Sequence, residues 1–143
     1  MRRIVPIVAV VASVAACGGA DSAVPNRCPL PQPLADLSLL PRDVPLDEWG
    51  IVDQVEVQGG FVGARAVSET KIVELYPMMA RATVDAGYSI LSGDNEGFEA
   101  EIFFERGKGT TGTYRLREGP CAGQVTIKLL YESERYRRLD QRD

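Results

Sequence analysis

The chain has 143 residues, room for one ordinary domain and no more. Its 20 acidic residues outnumber its 16 basic ones and leave a formal charge of −4, a balance that argues against nucleic acid as a partner and against electrostatic adhesion to anionic lipid. It contains no histidine, which removes Ser-His and Cys-His catalysis, His-bearing zinc sites and any imidazole acid–base step.

Met1, Arg2 and Arg3 make a short positive segment, Ile4 to Ala12 an apolar run, and Val14-Ala15-Ala16 a small-residue approach to Cys17, the tripartite layout of an export signal. The run is too short to span a bilayer, which takes roughly 20 apolar residues. Val14-Ala15-Ala16-Cys17 also resembles the lipobox of bacterial lipoproteins. That resemblance implies a signal peptide over 1–16, cleavage before Cys17 and lipidation of Cys17, so that the mature chain is held to the outer face of a membrane. An ordinary secretory signal with a cysteine near its cleavage site is the alternative, and Arg2-Arg3 leaves the twin-arginine route open beside the general one. The lipid cap of the family carries several acyl chains, and with ~0.8 kcal/mol for each buried methylene such an anchor is effectively permanent.

Gly18 stands where an acidic residue would retain a lipoprotein at the inner of two membranes, so an outer-membrane address stays open if the organism has one. Lysine occurs only at 71, 108 and 128 against many arginines, the usage of a GC-rich genome such as an actinobacterium's. Loss of Arg2 and Arg3 with the signal takes the formal charge from −4 to −6.

Cys28 and Cys121 remain in an oxidising compartment and are expected to pair. The bridge would close a loop of ~90 residues and stabilise the fold by roughly 4 kcal/mol on the chain-entropy model. Two buried free thiols are the alternative. Residues 17–48 are rich in small residues and prolines (25, 29, 31, 33, 41 and 45) and read as a tether, stapled to the domain if the bridge forms.

A single domain is expected over 49–131, starting near Trp49. Ile51 to Gln58 alternates, with Asp53, Val55 and Val57 on one face, and Gly59-Gly60 is a turn signal before Phe61 to Val67; the hairpin sets Val57 beside Val62 and Val55 beside Ala64. Ser68 offers an N-cap for a helix in which Ile72, Leu75, Tyr76, Met79, Ala82, Thr83 and Ala86 recur at helical spacing, ending at Gly87. Pro77 inside it predicts a kink near Val73 or a start at Pro77. Tyr88 to Leu91 then runs into the turn cluster Ser92 to Gly97. Phe98, Ala100, Ile102 and Phe104 alternate with Glu99, Glu101, Phe103 and Glu105, and a loop at 107–111 leads to Tyr114 and Leu116, alternating with Arg115 and Arg117. Beyond Cys121, Val125, Ile127, Leu129 and Tyr131 point inward. Tight turns would set Phe104 beside Tyr114, Ile102 beside Leu116, and Glu101 beside Arg117. The charged residues of 132–143 read as a solvated tail.

The fold class is therefore α+β: an antiparallel sheet of about five strands, made of a hairpin, one helix and a three-stranded meander, with the helix packed on one face. Glu74-Leu75-Tyr76, Ala86-Gly87-Tyr88 and Gly97-Phe98-Glu99-Ala100, within 55–130, resemble a recurrent type of small exported lipoprotein in actinobacteria, with Tyr88 where Trp is more usual. The resemblance implies a fold and an address.

Three apparent motifs have structural explanations. Gly107-Lys108-Gly109-Thr110-Thr111-Gly112 matches G-x-G-x-x-G in form but precedes a strand instead of opening a helix. Asp94, Asn95 and Glu96 lack the spacing of a calcium loop and have the composition of a turn, so no metal is expected. Glu99, Glu101 and Glu105 alternate on a wet face, without the two differently tuned environments of a glycosidase pair. The expected function is that of a membrane-anchored binding or assembly module of the cell envelope, without catalytic residues or cofactor. Its partner would be another envelope protein or a small ligand, met by a surface at Phe103 and Leu130 or at Met78 and Met79. A small hydrolase working through carboxylates alone is the competing class.

Overall fold

The computed structural model describes residues 28–140; the signal segment and Cys17 lie outside the described residues. β1 (Ile51–Gln58) and β2 (Phe61–Ser68) form the expected hairpin, with Gly59 and Gly60 at φ of 60° and 80°, the left-handed pair that a two-residue turn requires. Val57 pairs with Val62 and Val55 with Ala64, as the alternation predicts. Asp53 departs from it. The register shifts between Val52 and Gln54, and this bulge sends Asp53 to Arg65 on the opposite face while Val52, 2 % exposed, joins the core.

The helix α1 (Ile72–Asp85) runs through Pro77 and starts before it. The backbone bond that Pro77 cannot donate falls opposite Val73, which lies on the exposed side where water can serve the released carbonyl. Ser68 is not its cap: it ends β2, buried, and accepts from the Thr70 amide at 3.2 Å, while Lys71 precedes the helix without a side-chain cap. Gly87, at φ 85°, closes it with the paired bonds of a Schellman stop, Tyr88 N–H to Thr83 O at 3.2 Å and Gly87 N–H to Val84 O at 2.9 Å.

Four strands follow where three were expected: β3 (Ser89–Asn95), β4 (Glu99–Glu105), β5 (Thr111–Glu118) and β6 (Val125–Glu132). All are antiparallel, in a six-stranded sheet of order β1-β2-β6-β5-β4-β3. Ser92 to Asn95 belong to β3 although their composition is that of a turn, because β4 supplies a full partner strand and a register shift between Ile90 and Ser92 absorbs the misfit. The β4–β5 register also differs from expectation by two residues: Phe104 pairs with Gly112, Ile102 with Tyr114, Ala100 with Leu116, and Glu101 with Arg115. Gly112 explains it. A Cβ there would stand 2.2 Å from the Phe104 ring, so the ring occupies the space a side chain would have filled. A shift of two preserves parity, so every residue keeps its expected face.

The core lies on one face of the sheet, under Ile102, Phe104, Tyr114, Leu116, Ile127 and Leu129, all at most 2 % exposed. Leu75 and Met79 of α1 cover the β3–β5 side. The remainder is covered by chain expected to be tether and tail. Leu40, Val44, Leu46 and Trp49 are buried, Trp49 meeting Tyr114 edge to face at 5.5 Å. At the other end, α2 (Glu134–Asp140) inserts Tyr136, 1 % exposed, whose hydroxyl donates to Leu39 O at 2.8 Å. The packed unit thus extends beyond 49–131 in both directions. Cys28 and Cys121 form a disulfide, with Cα atoms 5.4 Å apart, which fixes the start of this covering segment to the β5–β6 connection. Phe98, placed in the core by its parity with Ala100, is instead 54 % exposed, because β4 begins only at Glu99.

Candidate functional site

The opposite face of the sheet is open. Its side chains fall into rows that cross the strands, and two neighbouring rows differ sharply in character. One runs Gly63, Leu130, Thr113 and Phe103 across β2, β6, β5 and β4. The next runs Arg65, Lys128, Arg115 and Glu101 across the same strands. Together, with Glu101 left outside it, they form a trough of about 550 Å³, open to solvent, whose rim on β1 is Gln54 and Glu56. Leu130 is 52 % exposed and Phe103 is 38 % exposed, so the apolar row is accessible.

The cations of the second row are not equivalent. The Arg65 guanidinium is engaged side-on by Asp53, Nε to Oδ1 at 2.9 Å and Nη2 to Oδ2 at 2.6 Å, and the hydrogen bonds to this carboxylate make the guanidinium hold its proton more firmly than usual. Arg115 is paired with Glu101, and Arg117, one row further on, lies 3.7 Å from Glu99. The Lys128 ammonium has no hydrogen-bond or ion-pair partner among the described residues. It stands at the centre of the row with an arginine on each side.

A second polar cluster lies at the edge of the core. The Tyr88 hydroxyl donates to Asp43 Oδ2 at 2.8 Å and lies 2.9 Å from the Tyr131 hydroxyl. Arg106 pairs with Asp43 and places its guanidinium 4.4 Å from the centre of the Tyr88 ring. Burial, the Tyr131 hydroxyl and the Asp43 carboxylate, in that order, push the Tyr88 phenol far above its ordinary range, so it remains a donor. Each group is satisfied by another, and the cluster clamps the covering segment at Asp43 to the α1–β3 connection and the β4–β5 loop, beside Tyr131 of β6.

Phe103 and Leu130 are thus brought together in the trough. Met78 lies apart on α1, 55 % exposed, and Met79 is fully buried against the sheet; it belongs to the core and cannot meet a partner, because its position on the helix turns it inward beside Leu75. The sequence alternation marks the open face but not its charge pattern, since Arg65, Lys128 and Arg115 come from three strands whose order is invisible in the chain. Asp94, Glu96, Glu99 and Glu101 line a small acidic cleft of about 170 Å³. Among the described residues no group of three or more acidic, cysteine or histidine side chains is arranged to hold a metal ion. No protein-family model matches the chain, and no curated protein matches its sequence.

Proposed function

We propose that the protein is an envelope lipoprotein, anchored through lipid on Cys17, whose open sheet face is a binding surface exposed outside the cytoplasmic membrane. The observation that carries this reading is the trough itself. A six-stranded sheet with the core on one face leaves Phe103 and Leu130 exposed on the other, inside a concavity whose volume falls within the ~300–1,000 Å³ of small-ligand sites. The disulfide between Cys28 and Cys121 suits an oxidising compartment, and among the described residues no helix is long and apolar enough to cross a membrane. A hydrolase working through carboxylates has less support: among the described residues Glu56 is the only acid lining the trough, and paired-carboxylate chemistry needs two.

Address and surface are tested together by a photocrosslinking residue introduced in place of Leu130 in intact cells. The expected result is a membrane-retained protein carrying an adduct, with none when the same group replaces Val84 on the exposed side of α1. Cys17→Ser should release the protein to the soluble fraction or leave it unprocessed. A mature Cys17→Ser protein that stays with the membrane would end the anchor proposal, and equal adducts from 130 and 84 would end the proposal for the surface.

A further inference from the structure

We infer that the trough takes a small amphiphilic anion, with its acidic group seated on Lys128 and its apolar or aromatic body lying over Leu130 and Phe103. This deepens the reading of the open face as a binding surface and rests on it.

The surroundings of Lys128 are the starting point. On the open face its neighbours along β6 are Thr126 and Leu130, its lateral neighbours are Arg65 and Arg115, and the diagonal positions hold Gly63, Val67, Thr113 and Arg117. None of the eight is acidic, and three are arginines. Like charges directly opposite each other on neighbouring strands are destabilising, and Lys128 makes that contact on both sides. The three arginines are each drawn to a carboxylate, namely Asp53, Glu101 and Glu99, and these partners sit away from Lys128 on its far sides. Lys128 is left as an uncompensated positive charge on this face, in a chain whose overall balance is acidic. Glu56, the single acid of the lining among the described residues, stands on β1 and turns its side chain over Gly63, without forming an ion pair with Lys128. An anion placed on Lys128 would relieve its repulsion with Arg65 and Arg115 and would accept from whichever of their N–H groups the carboxylates leave unused.

The apolar row sets the rest of the ligand. Leu130 is two residues along β6 from Lys128, a separation of ~7 Å, and Phe103 lies two strands from Leu130, ~10 Å across the sheet. At the β2 end Gly63 has no side chain and the Glu56 side chain lies over it, which closes that end of the row and directs the apolar body towards Phe103. The body that fits carries its charge within ~7 Å of a ring or a short aliphatic group. Carboxylate, sulfonate and phosphate ester share the chemistry Lys128 would recognise, and the committed occupant is a small molecule rather than an acidic segment of a partner protein.

The test uses the mature protein and anilinonaphthalene sulfonate, an aromatic body carrying one anionic group, with fluorescence as the readout and a thermal melt beside each titration to show that the protein is native. Saturable binding is expected, weakened at least tenfold by Lys128→Gln and several-fold by Leu130→Ser or Phe103→Ala, and unchanged by Lys108→Gln in the β4–β5 loop. The uncharged N-phenylnaphthylamine should bind less tightly, and phosphate alone should compete only weakly. Equal affinity for Lys128→Gln and the unaltered protein, or for the charged and uncharged probes, would overturn the anion. If Leu130→Ser still weakened the probe in that case, the open face would stand as a binding surface of another specificity. Indifference to both Lys128→Gln and Leu130→Ser would overturn the inference and the surface together. An adduct from position 130 that proved to be a protein segment, displaced by the probe, would replace the small molecule by a partner protein.

Discussion

Phe104→Ala is expected to destabilise the domain by about 3–5 kcal/mol, enough to unfold it if its total stability is at the low end of the ordinary 5–15 kcal/mol. Phe104 is fully buried, lies 5.1 Å from the Tyr88 ring and 4.9 Å from the Tyr114 ring, and fills the space above Gly112. Truncation therefore removes an aromatic cluster at its centre, and Gly112 has no side chain with which to close the cavity. Phe103→Ala, one residue away, should cost far less, because its ring already meets water on the open face. Denaturant melts of the two variants give the comparison. Equal losses would mean that the sheet is covered on both faces, and the trough would not exist in solution.

Removing the disulfide should have an effect of similar size for a different reason. Cys28 and Cys121 are separated by 93 positions, and on the chain-entropy model a loop of this length restricts the unfolded chain by roughly 4–5 kcal/mol. The folded state adds a specific dependence. The bridge fixes the start of the segment that carries Leu40, Val44, Leu46 and Trp49 over the core, and Gln124 Nε2 donates to Cys28 O at 2.9 Å beside it. A Cys28→Ser, Cys121→Ser double variant should show a lower unfolding midpoint and faster hydrogen exchange at Leu40 to Trp49 than at Ile127 to Leu129. Uniform exchange across both regions would show that the segment holds without its staple.

The alternation of β4, β5 and β6 was legible because large apolar residues fall at every second position, and parity survives an error of two in register. The register itself was not legible, because the decisive residue, Gly112, reads in the sequence as part of a glycine-rich loop. Its role under Phe104 appears only when two strands are laid side by side. β3 was missed in part for a related reason: Ser92, Gly93, Asp94 and Asn95 have turn composition, and only pairing with β4 makes them a strand. Proline-rich chain before Trp49 and charged chain after Tyr131 resembled tether and tail, yet the sheet face is wider than one 14-residue helix can cover. Leu40, Val44, Leu46 and Tyr136 fill the remainder. Phe103 and Leu130 stood out in the sequence as apolar residues at wet positions. The cationic row beside them did not, because Arg65, Lys128 and Arg115 become neighbours only through the β2-β6-β5 strand order.

The claim that the open sheet face is occupied in the envelope is tested most directly by hydroxyl-radical labelling of the protein in intact cells and after purification free of ligand. Phe98 and Met78, exposed and outside the trough, serve as references in the same molecule. The expected result is that Phe103 and Leu130 are labelled several-fold less in cells than in the purified protein, while Phe98 and Met78 are labelled alike in both. Equal labelling of Phe103 and Leu130 in the two states would contradict it, leaving the trough an unoccupied surface.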